Sequence, residues 1–549
     1  MKRKYFTKML GLLLCAGMLG MTGCAGNDGK NGQGDRGQQE KIQIPSADRS
    51  DDNKVSNETE ITEEKENAMM EKDYAQMFKE LKLTKSLKGV KDENPIYTQR
   101  FGADPYALVY EDRVYFYMTQ DSFMTEADGT IKENNYQNIK TISVISTDDF
   151  VNFTDHGEIP VAGKDGVATW ANNSWAPAAA WKMIDGKPKF FLYFADAGGG
   201  IGVISADSPV GPFKDELGKG LIRRDMPNCG NVLWLFDPAV LVDDDGKAYI
   251  YFGGGVPKDK IDWPGTGRVA QLGDDMMSIV GEPVALDVPY LFEDSGIHKY
   301  KDTYYYTYCS NWQVDEAGTE KYGFVNAEIV CLESKSPMGP FTFKEVILEN
   351  PGKNFGLYGN NHHAVFSFKD QWYITYHTRV QEKKMGVEKG YRCVHIDEFE
   401  MGEDGTIGKI EQTLTGRKQI KSFDLYQETS AATMAVCAGV NTRPADEVGK
   451  MVLTEISDGD FVKLEGVDFS DTSAKTLRAK IKTNSQTGVI RISTDMLNGD
   501  VIGYLPVEGS DEGFVWMETG LTQEITGVHD VYFTFCGEGY EIESWQLVK

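Results

Sequence analysis

Basic residues are scarce in this chain of 549 residues, which has 57 lysines and arginines against 84 aspartates and glutamates. The resulting formal net charge of −27 repels phosphate backbones and argues against a nucleic-acid partner. A neutral partner such as a sugar is not disfavoured by this charge. The length exceeds that of one ordinary domain, so we expect two or three domains.

Cysteines are few and scattered, and no two of the eight have the CxxC spacing. This pattern excludes a disulfide scaffold and a cysteine-based zinc site. Cys15 lies inside the apolar leader and Cys24 lies at its end. The other six occur mostly in apolar strand contexts and are predicted to be buried thiols.

Long hydrophobic runs are also missing, except for one at the N-terminus. Residues 1–23 combine a basic start with an apolar run from Met9 to Met21, which is typical of a secretory signal and too short for a stable membrane span. The segment Met21-Thr22-Gly23-Cys24 resembles the lipobox of bacterial lipoproteins. The resemblance implies a secreted protein, lipid-anchored through Cys24 to the outer face of a bacterial membrane. The alternative is a cleaved signal whose cysteine is incidental.

Aromatic residues are absent from Ala25 to Lys72, where glycine and polar residues dominate. Such a segment cannot bury enough apolar area to offset the entropy lost on ordering. We therefore predict a flexible tether over residues 24–88. A short amphipathic helix from Glu71 to Lys82 is the one regular element expected there.

Aromatic strands preceded by a short polar motif are abundant from residue 101 to residue 377. In one copy, Phe236-Asp237-Pro238 leads through a tight turn to an aromatic, β-branched strand that ends at Phe252. The other motifs are Ala103-Asp104-Pro105, Trp175-Ala176-Pro177, Phe292-Glu293-Asp294 and Asn361-His362-His363. Their spacing suits a four-stranded sheet, which is the unit of a β-propeller. We predict an all-β chain with a five-bladed β-propeller at residues 89–420.

Residues 424–549 lack the motif and contain short alternating strands, which predict a β-sandwich (jelly-roll) module. In the propeller, the five motifs would meet at one end of the central axis if each motif strand were innermost. Asp104, Asp237 and Glu293 would then share one pocket, as acid–base chemistry requires. The alternative is that each carboxylate caps a turn or pairs with an arginine, and three carboxylates in register with the repeat make it less favourable.

Five longer segments carry a resemblance to a known family. They are Gly102-Ala103-Asp104-Pro105, Ser174-Trp175-Ala176-Pro177, Trp234-Leu235-Phe236-Asp237-Pro238-Ala239-Val240, Phe292-Glu293-Asp294-Ser295-Gly296 and Gly359-Asn360-Asn361-His362-His363-Ala364-Val365-Phe366. With them the chain resembles family 43 glycoside hydrolases from about residue 94 to residue 549. The type within this family that it matches is the arabinoxylan arabinofuranohydrolase with a C-terminal family 6 carbohydrate-binding module.

The resemblance implies an inverting hydrolase that releases α-L-arabinofuranosyl side chains from arabinoxylan or a related hemicellulose. It assigns the general base to Asp104 and the general acid to Glu293, with Asp237 orienting the acid and tuning its pKa. An inverting site needs carboxyl groups roughly 6.5–9.5 Å apart, with room for a water molecule between one of them and the sugar. An ionised Asp237 would favour the protonated form of Glu293.

The resemblance also implies binding residues. It places His362 beside an axial Ca²⁺ held mostly through water, whereas a structural histidine bonded to the backbone is the alternative. Because neighbours alternate on a strand, we expect only one of His362 and His363 to face the channel. Arg392 is assigned to sugar hydroxyls or to an ion pair with a channel carboxylate. Trp175 would stack on the sugar or pack between blades, and Phe236 completes the substrate-binding set.

In the C-terminal module, Glu428 matches a structural calcium ligand of the binding-module family. Glu543 stands where that family has aspartate, and the usual asparagine is absent from Gly537 to Glu543. These departures weaken the case for sugar binding by the module. The remaining alternatives are a β-xylosidase or an arabinan-degrading hydrolase on the same fold, or a non-catalytic carbohydrate-binding lipoprotein. We expect a monomer without an organic cofactor.

Overall fold

Antiparallel meanders build residues 101–399, because tight turns connect strands that are neighbours in sequence. The computed structural model describes residues 63–483 and 487–549, so the predicted signal peptide, Cys24 and most of the predicted tether lie outside it. No helix in this described part is both long and apolar enough to cross a membrane.

Five sheets occupy residues 101–399 of the described chain. The first holds β1 (Phe101–Tyr110), β2 (Arg113–Asp121), β3 (Thr141–Thr147) and β4 (Phe153–Pro160); the second β5 (Trp175–Ile184), β6 (Lys187–Ala195), β7 (Gly200–Ala206) and β8 (Ile222–Arg223); the third β9 (Ala239–Val242), β10 (Ala248–Phe252), β11 (Gly267–Leu272) and β12 (Ile279–Leu286); the fourth β13 (Leu291–Tyr300), β14 (Thr303–Ser310), β15 (Ile329–Ser334) and β16 (Thr342–Leu348); and the fifth β17 (His363–Phe368), β18 (Gln371–Thr378) and β19 (Cys393–Phe399).

The C-terminal strands form two further sheets. They are β20 (Thr429–Ser430), β21 (Thr433–Met434), β22 (Val436–Ala438), β23 (Asn441–Pro444), β24 (Met451–Thr454), β25 (Phe461–Asp468), β26 (Thr476–Thr483), β27 (Gly488–Thr494), β28 (Asp500–Val507), β29 (Ser510–Gly520), β30 (Val528–Cys536) and β31 (Tyr540–Val548). One sheet has the order β23-β24-β31-β26-β29 with β20 on β31, and the other has the order β22-β25-β30-β27-β28.

These two sheets pack face to face as a sandwich. Phe533 on β30 and Trp545 on β31 are fully buried and stack with ring centroids 4.2 Å apart, which joins the two layers. Strand β21 leaves the sandwich and pairs with β4, so the first sheet is extended by the C-terminal module. The all-β prediction is confirmed, and so is a sandwich after the repeats.

Helices are short and few in the described residues. They are α1 (Glu63–Glu80), α2 (Glu316–Tyr322), α3 (Pro351–Phe355), α4 (Val380–Lys384) and a 3₁₀ turn at Tyr136–Asn138. Five of the six cysteines in this part of the chain are buried and all six are free, as predicted.

The N-terminal part of the described chain, residues 63–90, packs on the sandwich, and we call it the strap. Phe78 of α1 is 5% exposed and lies between Tyr504, at a centroid distance of 5.8 Å, and the guanidinium of Arg491, 5.0 Å from the ring centre. Tyr74, four residues earlier on the same helix face, also contacts Tyr504. Flexibility up to residue 88 was therefore the wrong prediction, because aromatic residues resume at Tyr74 and give the helix an apolar face.

After α1 the strap runs along the sandwich in close backbone contact. The Thr84 amide donates to Gly459 O at 2.9 Å, and the Thr84 hydroxyl donates to Asp460 Oδ1 at 2.7 Å. A Cβ on Gly459 would lie 2.2 Å from Lys82 O, so only glycine permits this approach. Lys88 is 2% exposed. Helix α1 also begins earlier than the predicted range of 71–82.

One bulge recurs at the start of the first strand of several sheets. Pairing skips two residues between Ala103 and Tyr106, between Trp175 and Ala178, and between Glu293 and Gly296. The first skipped residue has a left-handed backbone in each case, with φ of 48° at Asp104, 27° at Ala176 and 68° at Asp294; Asp237, just before β9, has φ of 50°. Such bulges redirect a side chain relative to the strand.

This bulge corrects the predicted alignment of the repeat. Asp294 is the counterpart of Asp104 and Asp237, whereas Glu293 stands one position earlier, level with Trp175. The sequence could not decide between the two alignments, because the strand that follows has three consecutive tyrosines from Tyr304 to Tyr306.

Candidate active site

The motifs of three other sheets converge on His362, which is 6% exposed. Its Nδ1 lies 3.6 Å from Asp104 Oδ1 and 3.9 Å from Asp237 Oδ2, and its Nε2 lies 3.2 Å from Asp294 Oδ1. These residues are far apart in sequence, and the bulged starts of β1 and β13 and the segment before β9 turn their carboxylates inward. The predicted convergence of Asp104, Asp237 and the Glu293 motif is thus present in the geometry.

Asp104 is held by an arginine and lies beside two histidines. Arg392 Nη1 donates to Asp104 Oδ1 at 2.9 Å, and His377 Nδ1 lies 3.2 Å from the same oxygen. Burial acts to raise the pKa of Asp104, but Arg392, with His362 and His377, outweighs it and holds the pKa below its usual range. Asp104 is therefore an ionised carboxylate at neutral pH, which is the form a general base requires.

Arg392 is itself fixed by Asp121, the last residue of β2. Its Nε and Nη2 donate to Asp121 Oδ2 and Oδ1 at 3.0 and 2.6 Å, and its amide donates to Oδ2 at 2.9 Å. Asp121 is fully buried, and the ring of Tyr136 lies 4.8 Å from the guanidinium carbon. Of the two roles expected for Arg392, the structure contains the ion pair, which is made with Asp104, while contact with sugar hydroxyls stays a prediction.

Glu293 has the opposite environment. It is 8% exposed, and its Oε1 is buried without a hydrogen-bond partner in the described residues. Burial raises the pKa of Glu293 well above its usual range, and the negative charges of Asp237 and Asp294 raise it further. Glu293 therefore keeps its proton at neutral pH, as a general acid requires.

Asp237 differs from Glu293 because a backbone amide donates a hydrogen bond to its carboxylate. Burial raises its pKa too, as does the charge of Asp104, while the amide of Asp294 donates to Asp237 Oδ2 at 2.9 Å and lowers it. Two close carboxyls disfavour each other's ionisation. The hydrogen bond from the Asp294 amide favours the ionised form of Asp237. Glu293 Oε1 has no such donor in the described residues, so Glu293 is the better holder of the proton.

Aromatic side chains border the carboxyl groups. Trp175 is half-buried, its indole N–H donates to Tyr136 O at 2.9 Å, and its ring meets the Tyr136 ring edge-on at 6.0 Å. Phe236 is buried and meets Trp234 edge-on at 5.3 Å. Tyr136 is 38% exposed, so part of this aromatic wall is open to a ligand.

Both neighbouring histidines contact Asp294, but only His362 also lies beside Asp104 and Asp237. His363 Nδ1 lies 2.5 Å from Asp294 Oδ2, while His362 contacts Asp294 Oδ1. Strand β17 begins at His363, so the alternation of a regular strand does not extend to His362.

Direct metal ligation is not evident in the described residues, which contain no group of three or more His, Cys, Asp or Glu side chains arranged to hold an ion. Glu428 in the module is exposed and accepts a hydrogen bond from Ser544 Oγ at 2.8 Å. Glu543 forms an ion pair with Lys480. The predicted calcium at Glu428 stays a prediction.

Four residues of this site were not singled out from the sequence: Asp294, Asp121, His377 and Tyr136. The sequence offered one signal for Asp294, because it is an aspartate in the repeated motif, as Asp104 and Asp237 are. It is followed by Ser295, whereas the other two are followed by proline. Asp121 and His377 lie at or near the ends of second strands, where a sequence pattern gives no sign of what they face. Tyr136 lies in the long connection between β2 and β3.

The comparisons with known proteins agree with this geometry. Residues 93–407 match the model of glycosyl hydrolases family 43, and residues 430–549 match that of carbohydrate binding module (family 6). The chain is 45% identical over 476 residues to an arabinoxylan arabinofuranohydrolase of Paenibacillus polymyxa, covering 83% of this chain and 74% of the relative. It is 42% identical over 485 residues to the protein of the same name from Bacillus subtilis (strain 168), covering 84% and 93%.

A solved structure extends the similarity to three dimensions. The crystal structure of a glycoside hydrolase family 43 arabinoxylan arabinofuranohydrolase from Bacillus subtilis in complex with cellotetraose matches with a TM-score of 0.81 and 41% identity. The match covers 85% of this chain and 99% of that one. With its family model spanning more than half of the sequence, the chain belongs to glycosyl hydrolases family 43.

Proposed function

We propose that this glycosidase releases α-L-arabinofuranosyl side chains from arabinoxylan with inversion at the anomeric carbon. The observation that carries the proposal is the contrast between two buried carboxyl groups of one site. Asp104 is paired with Arg392 and ionised, whereas Glu293 has an unpartnered oxygen and stays protonated. The names of the two similar proteins and of the solved structure support the choice of arabinoxylan as substrate.

In this mechanism the two carboxyls act on opposite sides of the sugar. Asp104 takes a proton from a water molecule, which attacks the anomeric carbon, while Glu293 gives its proton to the departing oxygen of the xylan chain. Asp237 keeps the proton on Glu293 through its negative charge. Arg392 keeps Asp104 ionised, and Trp175, Phe236 and Tyr136 offer apolar surface to the arabinose ring.

The five sheets are assigned as the five blades of the propeller, with β1, β5, β9, β13 and β17 as the innermost strands. Support comes from the shared bulge and from the meeting of Asp104, Asp237 and Asp294 around His362. On this view His362 lies on the propeller axis.

An axial Ca²⁺ held mostly through water is also proposed. The chemistry of the donors fits, because carboxylate oxygens of Asp104 and Asp237 face a ring nitrogen of His362 at 3.6 and 3.9 Å, and oxygen-rich sites suit calcium. His362 and those two carboxylates would hold the ion and its water. When bound, the ion supplies positive charge that offsets repulsion between the carboxylates.

For localisation we propose a secreted lipoprotein anchored by Cys24, on the grounds of the lipobox-like segment alone. That segment lies outside the described residues. The monomeric state stays a prediction.

The deciding experiment is a product assay with purified enzyme on wheat arabinoxylan. We expect arabinose as the product, with the β-anomer appearing first by proton NMR, and loss of release in Glu293→Gln at an unchanged melting temperature. Release of xylose without arabinose would move the assignment to β-xylosidase. Arabinose release from arabinan in place of arabinoxylan would indicate the arabinan-degrading alternative, and no release from any of these substrates would leave a carbohydrate-binding protein.

A further inference from the structure

The connection between β2 and β3, residues 122–140, leaves the first sheet beside Asp121, at the end of the sheet where Asp104 lies, and we call it the bridge. Connections longer than about 12–15 residues are uncommon in a compact domain and are often functional. The proposed mechanism uses one of its side chains, Tyr136, only as apolar surface. The contacts of the bridge give it a further role.

The first half of the bridge is attached to the segment that precedes β19 in the fifth sheet. The Tyr391 hydroxyl donates to Lys132 O at 3.0 Å and accepts the Met124 amide at 3.3 Å. The Asn134 side chain donates to Gly390 O at 3.1 Å. These bonds fix one end of the bridge at the fifth sheet.

The second half of the bridge is attached to the residues that precede β5 in the second sheet. Asn173 is 1% exposed, and its Nδ2 donates to Tyr136 O at 3.0 Å and to Ile139 O at 3.2 Å. Asn135 begins the 3₁₀ turn that contains Tyr136, because its side chain accepts the Gln137 amide at 3.0 Å. The bridge thus runs from the fifth sheet across the first to the second.

Tyr136 is the bridge residue that borders the active site. Its ring lies 4.8 Å from the guanidinium carbon of Arg392, which in turn binds Asp104 at 2.9 Å. Tyr136 is 38% exposed, whereas Asp104 and Glu293 are 5% and 8% exposed. Its hydroxyl has no hydrogen-bond partner among the described residues. An open aromatic ring with an unused hydroxyl is suited to a sugar, which has apolar C–H faces and hydroxyl groups.

The position of the bridge decides on which side of the site a substrate can extend. In the proposed mechanism the xylan chain leaves on the side of Glu293, and Asp104 activates water on the opposite side of the sugar. The bridge lies on the Asp104 side, because it follows Asp121 and its Tyr136 ring covers Arg392. A sugar chain that continued past the cleaved residue on this side would meet the bridge.

We propose that Tyr136 is a specificity-determining residue, which packs on the released sugar and closes the Asp104 side of the site. The enzyme then removes single terminal sugars and does not cleave within a chain. This inference rests on the proposed function for the identity of the sugar. The closure itself can be measured on any glycoside that the enzyme cleaves.

The test compares two chromogenic substrates, the 4-nitrophenyl glycosides of α-L-arabinofuranose and of α-1,5-linked arabinobiose, with the released sugars separated by chromatography. The wild type should release arabinose from the first and no arabinobiose from the second. Tyr136→Ala should release arabinobiose, and its kcat/KM for that bond relative to the single arabinoside should rise by about 10-fold or more. Tyr136→Phe, which keeps the ring, should release none.

Two results would overturn the proposal: arabinobiose released by the wild type as readily as arabinose, or no arabinobiose from Tyr136→Ala. A wild type that cleaves xylosides and not arabinosides would refute the proposed function and leave the closure to be decided with the 4-nitrophenyl glycosides of xylose and xylobiose. Xylobiose should then come from Tyr136→Ala alone. A wild type that cleaves none of these glycosides would refute both proposals.

A matched control separates closure of the site from the loss of any exposed aromatic side chain. Trp516 is 37% exposed in the sandwich, and its ring lies 4.4 Å from the guanidinium carbon of Arg478. Trp516→Ala should give the same products as the wild type on both small substrates.

If Tyr136→Ala does not fold, Asn134→Ala loosens the bridge at its fifth-sheet end, because it removes the bond to Gly390 O. It should also release arabinobiose, and products unchanged from the wild type would count against the proposal. Melting temperatures of all variants show whether each one is folded under the assay conditions.

Discussion

Arg392 Nη1 lies 2.9 Å from Asp104 Oδ1, while the rest of the same guanidinium is bound by Asp121. One arginine thus connects the base candidate to a second buried carboxylate from the far end of β2. Two carboxylates share one positive charge here, so the ionised state of Asp104 depends on the exact placement of that charge.

Arg392→Lys should move the acidic limb of the kcat/KM profile to higher pH. A lysine cannot bind Asp121 in two places and also reach Asp104, so the pKa of Asp104 should rise. Because the enzyme is inactive when its base is protonated, a higher pKa of Asp104 makes the activity fall at a higher pH as the solution is acidified. The measurement is the pH dependence of arabinose release. Arg223→Lys, which alters an exposed pair with Asp225, is the matched control, and an unmoved acidic limb in Arg392→Lys would refute this role.

The alkaline limb should report Glu293. Its pKa is raised, so the group is protonated at neutral pH and the activity falls as pH rises through that pKa. Glu293→Gln should lower kcat on arabinoxylan about 10²- to 10⁴-fold. The loss should be much smaller on a 4-nitrophenyl arabinofuranoside, whose leaving group needs little help from an acid. Glu403→Gln, at an exposed position, is the control, and equal losses on both substrates would argue against an acid role.

Asp237→Asn should move the alkaline limb to lower pH. The charge of Asp237 is one cause of the raised pKa of Glu293, so an amide at this position lets Glu293 lose its proton earlier. Rates measured at several pH values would show the shift. A limb that stayed in place would mean that burial alone holds the proton on Glu293.

Phe78→Ala should destabilise the protein by about 3–5 kcal/mol, because a buried phenylalanine leaves a cavity between Tyr504 and Arg491. Met70→Ala, on the same helix at 47% exposure, should change the free energy of unfolding by less than about 0.5 kcal/mol. Chemical denaturation of both variants gives the comparison. Equal stability of the two would mean that the strap contributes little.

Local pattern was enough to predict the strands, the motifs and their meeting point, because alternation and turn residues act over a few positions. It failed where the answer depended on register or on distant partners. The run of tyrosines from Tyr304 to Tyr306 allowed two alignments of the repeat. The prediction aligned Glu293 with Asp104 and Asp237, whereas the structure aligns Asp294 with them. Asp121 pairs with Arg392, which is 271 residues away in sequence, and no short-range signal marks such a pair.

The strap has a consequence for how the chain is made. Helix α1 is synthesised well before its binding surface at Arg491 and Tyr504. The aromatic face of the helix therefore stays exposed while the strands of the propeller are synthesised. A nascent chain that stopped before β28 would carry a helix with nowhere to dock, and such a product should be a target for proteolysis or self-association.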